Sequence, residues 1–184
     1  MVPFPDKKYN TIVVDPPWNI GLKKYCLSRR NMASKLPYKT MTIDEIKNIP
    51  IGTITNKGCH VYCWTTNKML RHCFDVLDSW DVRFHLVLPM IKPSGICPAM
   101  GYTFASEFCL LGFYGKPMQK FLNIGKLNWI KCFNSAGKHS TKPDVFYKLV
   151  EEMSPAPRID IFARKRRIDW DVWGDQIETN LFTP

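Results

Sequence analysis

No glycine-rich phosphate fingerprint is present. Neither GxGxxG nor GxxxxGK followed by Ser or Thr occurs in the 184 residues, which removes the common backbone cradles for dinucleotides and nucleoside triphosphates. No apolar run approaches the roughly 18 residues of a membrane-spanning helix, so no membrane partner is expected. The opening MVPFPDKK lacks an apolar leader, and the expected location is the cytoplasm, or the nucleus in a eukaryotic cell. Internal repeats and low-complexity tracts are missing as well. The seven cysteines (26, 59, 63, 73, 97, 109 and 132) are odd in number and irregular in spacing. Most lie in apolar runs, where a thiol packs as a small hydrophobe, and they do not read as a disulfide framework. Cys59 and Cys63 share one face of a strand-like GCHVYCW and His60 takes the other. Without a second ligand pair, no metal site is expected.

Negative charge is also scarce. Sixteen Asp and Glu face 26 Lys and Arg, a net charge of +10, which points to a polyanionic partner. The basic residues cluster at Lys23–Lys24, Arg29–Arg30, 116–131 and 164–167. Tyr25, Phe121, Trp129 and Phe133 interleave with them, a mixture suited to phosphate contact and base stacking. Length and a 45% hydrophobic content lead us to expect one globular domain, residues 1–184, with a sizeable core.

Within that domain, the most informative stretch is IVVDPPW, Ile12–Trp18. Three β-branched residues suit a strand buried on both faces of a parallel sheet. Pro16 and Pro17 lack the N–H needed to continue a ladder, so the strand ends in a carboxylate, two proline carbonyls and an indole. Ligands of open α/β sheets sit at the carboxyl ends of strands. Asp15 and the Pro16 carbonyl, read as free acceptors, suit a planar amino group such as N6 of adenine, which has two hydrogens to donate. Held there, its nitrogen is placed for in-line attack on a methyl group. Trp18 offers a face for the base to stack on.

The rest alternates strand and helix. Thr42 and Glu45 form a capping box opening a short helix that Pro50 ends. Strands are expected at 59–66, at 82–91 with an interruption at Pro89, at 107–114, near 127–133 and at 158–164. Helices are expected at 67–80 and from Pro143, as the first helical residue, to Met153. The segment 92–102 reads as a loop, and 19–40 and 92–131 are the substrate-facing regions. Trp170 and Trp173 read as packing residues. The alternation implies a mostly parallel sheet with helices on both faces.

IVVDPPW, then LPYKTMTIDEI at 36–46 and HSTKPDVFYKLVEEMSPAPRIDIFARKRRIDWDVWGDQ at 139–176, resembles the MT-A70 family of S-adenosylmethionine-dependent adenine-N6 methyltransferases. The resemblance spans nearly the whole chain and is weakest in the middle. It implies a Rossmann-like class I methyltransferase fold with permuted motif order, the cofactor strand 158–164 lying beside the catalytic strand. Asp15, Pro16, Pro17 and Trp18 would form the catalytic motif. S-adenosyl-L-methionine would be bound by Asp15, by Lys142 at its methionine carboxylate, by Arg164 and Arg167 near the ribose, and by Asp175 and Gln176 at ribose and adenine edges. Many relatives carry Asn where this chain has Asp175. Tyr38 and Glu107 would lie by the target base, with Lys23 and Lys24 on the nucleic acid. Pro89 departs from a tryptophan-bearing pattern expected there. DNA is the first expected substrate and RNA the second. A catalytically silent nucleic-acid-binding subunit and methylation of a small amine or protein side chain are the alternatives. A homo- or heterodimer is compatible with all of these.

Overall fold

The computed structural model describes residues 3–20, 39–92, the backbone of 97–99, 101–116, 119–132 and 142–175. Strand β1 is Tyr9–Val14. After it come helix α1 (Ile43–Lys47), strand β2 (Thr55–Thr65), helix α2 (Leu70–Ser79) and strand β3 (Val82–Ile91). A short hairpin, β4 (Cys97–Ala99) and β5 (Tyr102–Phe104), precedes β6 (Ser106–Tyr114) and the two-residue β7 (Ile130–Lys131). Helix α3 (Asp144–Met153), β8 (Arg158–Ile161) and β9 (Trp170–Trp173) complete the described chain. No helix among the described residues is long and apolar enough to cross a membrane.

Seven strands form one sheet in the order β7-β3-β6-β2-β1-β8-β9. β1 pairs in parallel with β2 and β8, β8 with β9, and β3 with β7, while β6 runs antiparallel to both β2 and β3. Six strands therefore share one direction, and β6 alone is reversed. This is a Rossmann-like α/β architecture, with β1 an interior strand buried on both sides as its β-branched run requires.

Alternation along the strands sorts the core into two layers. Ile12, Val14, Val61 and Cys63 face α1 and α2, packing with Ile46, Cys73, Val76 and Leu77. Val13, Tyr62, Trp64 and Cys109 face α3, packing with Phe146, Tyr147 and Val150. α1 opens with the expected capping box: the Thr42 hydroxyl accepts from the Glu45 N–H, and the Glu45 carboxylate accepts from the Thr42 N–H.

Several boundaries differ from the sequence expectation. β3 runs through Pro89 without a break. The Val87 carbonyl accepts from Asn128 and the Ile91 carbonyl from Cys132, so alternate residues, Pro89 among them, turn their backbone polar groups to the outer edge. β7 covers that edge only from Met90 onward, and the missing N–H costs no ladder bond. The loop expected over 92–102 contains the β4–β5 hairpin, and the strand near 127–133 is two residues long. Pro143 caps α3 rather than opening it. β8 stops at Ile161 because Phe162 takes a left-handed φ of 65°. β9, formed by the tryptophan pair, was not expected as a strand.

Candidate active site

The shared strand direction brings the ends of β1, β2, β3 and β8 to one edge of the sheet, where reversed β6 begins. β1 leads in sequence to β2 on one side, while its other neighbour is β8. The crevice between β1 and β8 is thus a switch point, the place where open α/β sheets take ligands. A cleft lined by Asp15, Lys142, Tyr147, Asp160, Phe162, Ala163, Arg164 and Arg167 occupies it, with about 240 Å³ of space including solvent at its mouth.

Asp15 extends the ladder by one bond, its N–H donating to the Ile161 carbonyl at 3.2 Å. Its carboxylate lies 3.0 Å from Lys142 Nζ, and the same ammonium is 3.4 Å from Glu107. Lys92 completes the group, 2.6 Å from Glu107. Two carboxylates and two ammoniums are therefore joined in one neutral chain at the mouth. Burial is the largest influence on Asp15 and, with a smaller push from Glu107, holds its carboxyl above the usual range despite Lys142. Burial also dominates at Glu107, but Lys142 and Lys92 together outweigh it and hold that carboxyl low. For Lys142 the desolvation cost is exceeded by its two carboxylate partners, and it stays charged. Lys142 Nζ also sits 4.9 Å over the Trp64 ring, an additional cation–π contact.

The proline carbonyls are not both open, a correction to the sequence reading. Pro16 O accepts from the Trp18 N–H at 2.8 Å in a tight turn, and Pro17 O accepts from the Met41 N–H at 2.9 Å. A carbonyl has two lone pairs, so Pro16 keeps one for a ligand. Trp18 differs too. Its indole is buried in the α1–α2 layer and donates Nε1–H to the Trp64 carbonyl at 2.9 Å. In this geometry it fixes the turn after Asp15 and presents no open face for a base.

Asp160, Tyr147, Asp144 and Lys92 were missed. Asp160 is a carboxyl in a buried strand, directly beside Val13 in register. Tyr147 donates to it at 2.7 Å, and Arg167 approaches at 3.6 Å. Burial, only partly offset by Tyr147 and Arg167, raises Asp160 to about 7. The signal was visible as a charged residue in the apolar RIDI. Arg167 is stacked on the Tyr147 ring, 3.3 Å from its centroid, and bonded to Asp144 at 3.2 Å, with Nε buried and unpaired among the described residues. Arg164 lines the cleft as expected. Asp175 is exposed just beyond β9. Gly174 brings that end close: a Cβ there would lie 3.0 Å from Phe162 Cα, at a φ of 155°. Gln176, Tyr38, Lys23 and Lys24 lie outside the described residues.

The glycine-rich turn absent from the sequence has a substitute here. Phe162 itself takes the left-handed conformation that glycine normally supplies, at the lip of the cleft. Such strain, roughly 1–3 kcal/mol for a non-glycine residue, concentrates at functional sites. At the end of β2, Trp64 Nε1 and Thr65 Oγ1 are buried without partners among the described residues. His60 is fully committed to the core. Its Nε2 donates to the Gln119 carbonyl at 3.0 Å, and its Nδ1 accepts from Ser154 at 2.8 Å. Cys59 and Cys63 pack in the opposite layer.

Comparison with known proteins agrees with this geometry. The chain is 28% identical to "Type II methyltransferase M.MunI" of a Mycoplasma species, over 96% of this chain and 81% of that protein. It is 27% identical to the Drosophila melanogaster "N(6)-adenosine-methyltransferase MT-A70-like protein" and 26% identical to the Homo sapiens "N(6)-adenosine-methyltransferase catalytic subunit METTL3", each over 93% of this chain. It spans only 27% and 28% of the length of those two. The family model described as MT-A70 matches residues 9–176, nearly the entire sequence including both ends of the cleft, and the chain belongs to the MT-A70 family.

Proposed function

We propose that the protein transfers a methyl group from S-adenosyl-L-methionine to N6 of adenine in DNA, with RNA as the second candidate. The observation that carries this reading is the partly buried Asp15, held between Lys142 and the β1–β8 crevice. An intact Asp15 and Lys142 weigh against a silent subunit.

The cleft suits a zwitterionic, sulfonium-bearing nucleoside. It combines carboxylates (Asp15, Asp160) with cations (Lys142, Arg164, Arg167), and Arg167 Nε is an orphaned donor within it. Lys142 would hold the cofactor carboxylate, and Arg164, Arg167 and Asp175 would lie along its nucleoside. Bound, the cofactor supplies an electrophilic methyl group.

The chain's own residues supply placement. Asp15 accepts one N6 hydrogen and the spare lone pair of Pro16 O accepts the other, which aims the nitrogen and leaves its own electron pair free. Position of this kind is a major source of rate. Methyl transfer would form the N–C bond as the donor's S–CH3 bond breaks, leaving a neutral thioether, and the positively charged N6 would then lose one proton to Asp15 or to water. The raised proton affinity of Asp15 suits that role. Trp18 and Met41 lock the turn, and the Glu107–Lys92 pair keeps Lys142 from leaving the rim.

The test is incubation with methyl-labelled cofactor and DNA or RNA oligonucleotides, followed by digestion to nucleosides. Label in N6-methyladenosine or its deoxy form, lost in Asp15→Ala, is the expected result. No label with either nucleic acid, from protein that binds the cofactor, would refute it.

A further inference from the structure

Every residue from Leu122 to Trp129 is exposed. The apolar members are large: Ile124 is 88% exposed, Leu127 66% and Trp129 43%. Lys120, Lys126 and Lys131 are spaced among them, all exposed. The segment has no helix and reaches a strand only at β7. It is nonetheless pinned at intervals. The Gln119 N–H donates to the Gly58 carbonyl, the Leu122 N–H to the Met153 carbonyl, and Asn128 to the Val87 carbonyl. Lys131 is in register with Ile91.

Those anchors give the segment a direction. Gly58 lies seven residues before the end of β2, roughly 20 Å below the mouth of the sheet. Lys131 lies at the mouth, beside Ile91. The next residue, Lys92, begins the chain of ion pairs through Glu107 and Lys142 to Asp15. A strip of lysines and bare apolar side chains therefore climbs the face of the molecule and ends at β7, on the same edge of the sheet as the candidate active site and four strands, roughly 19 Å, from β1.

We infer that residues 120–131 form a track for single-stranded nucleic acid, holding the strand that flanks the target adenine. The inference rests on nucleic acid being the substrate. Charge complementarity favours a polyanion, as the lysine spacing and the net charge of +10 require. The apolar side chains distinguish single strand from duplex. A duplex offers phosphates on its outside and hides its bases, so Ile124, Leu127 and Trp129 would gain nothing against it. Unpaired bases present faces to indole and aliphatic groups, and such contacts tolerate any sequence. Lys126 is paired with Glu152, but both are well exposed, and surface pairs of this kind exchange readily for a phosphate.

The test is fluorescence anisotropy of a short labelled adenine-containing DNA, single-stranded and as a duplex, titrated with the full chain over a range of salt. Trp129→Ala should weaken single-strand binding about fivefold or more, the loss of one stacked base. The Lys120→Gln, Lys126→Gln, Lys131→Gln triple variant should reduce the slope of log affinity against log salt by about 2, given about 0.7 per phosphate contact. Calorimetric affinity for S-adenosylmethionine should not change in either variant. That control shows that the fold is intact, and it separates failure of the track from failure of the methyl-transfer reading, which wild-type protein alone would reveal. Unchanged single-strand affinity in both variants would overturn the track. So would equal losses for single strand and duplex, or a wild-type self-association that Trp129→Ala abolishes while leaving oligonucleotide affinity intact.

Discussion

Replacing Lys142 by Met is expected to destabilise the protein through charge rather than shape. Lys142 Nζ lies 3.0 Å from Asp15 and 3.4 Å from Glu107. At an effective dielectric of about 20, each attraction has a gross value of about 5 kcal/mol, most of it offset by removing the ammonium from water. Met keeps the length and the apolar contact over Trp64, so packing changes little. What remains is the cost of two carboxylates that keep only Lys92 at Glu107 and the weaker pull of Arg164 on Asp15. Breaking a buried pair by removing one partner costs about 3–5 kcal/mol. Because these side chains are 12–20% exposed, the lower end applies, about 3 kcal/mol. The pH dependence follows from the directions of the shifts. In the wild type, the Lys142 contribution is complete below its unfolded pKa of about 10.4 and is lost only in strong alkali. In the variant, burial of Asp15 is no longer opposed by Lys142 and raises its folded pKa further above the unfolded value near 4, so folding takes up protons. Stability then falls as pH rises from about 4 through that folded value. The gap from wild type should be widest near neutrality and should close towards about pH 4. Urea unfolding followed by tryptophan fluorescence across that range measures it. A penalty of the same size at every pH would mean a packing defect and would refute the reasoning, as would no penalty.

Asp15→Ala should lower methyl transfer by at least about 100-fold while leaving calorimetric cofactor binding measurable; retained turnover removes Asp15 from the mechanism. Asp160→Asn should remove a pH dependence of stability. The wild-type carboxyl, raised to about 7 when folded, favours folding at low pH and loses that advantage between about pH 4 and 7. The variant's disadvantage should therefore shrink by up to about 4 kcal/mol as pH rises through this window, read by denaturant titration at several pH values. Gly112→Ala should cost about 1–3 kcal/mol, because the added Cβ would stand 2.7 Å from both Arg83 O and Val82 Cγ1; an unchanged melting temperature would contradict that close approach of β6 to β3.

Features with a local cause were legible in the sequence. The buried β1, the Thr42–Glu45 cap and the apolar face of α3 each follow from a periodicity or a short-range hydrogen bond. Asp15 stood out because a carboxylate followed by two prolines at a strand end has few structural uses. Features decided by distant partners were not legible. Nothing local shows that Met41 would occupy the Pro17 carbonyl, or that Trp64 would draw the Trp18 indole into the core. β9 was hidden because its WDVW becomes a strand only through pairing with β8. Pro89 was misleading, since its effect depends on which side of β3 has a neighbour. Asp160 and Lys92 were readable in principle, as charges inside apolar runs, but their significance depends on Arg167 and Glu107, contributed by other elements.

A bisubstrate compound, adenosine joined through N6 to the methyl-donor position of an S-adenosylmethionine analogue, tests most directly whether donor and acceptor meet in the β1–β8 crevice. Measured by calorimetry, it should bind at least about 100-fold more tightly than the cofactor alone, because the second half binds at high effective concentration, and Asp15→Ala should remove most of that gain. An affinity no greater than that of the cofactor, or a gain indifferent to Asp15, would contradict the shared site.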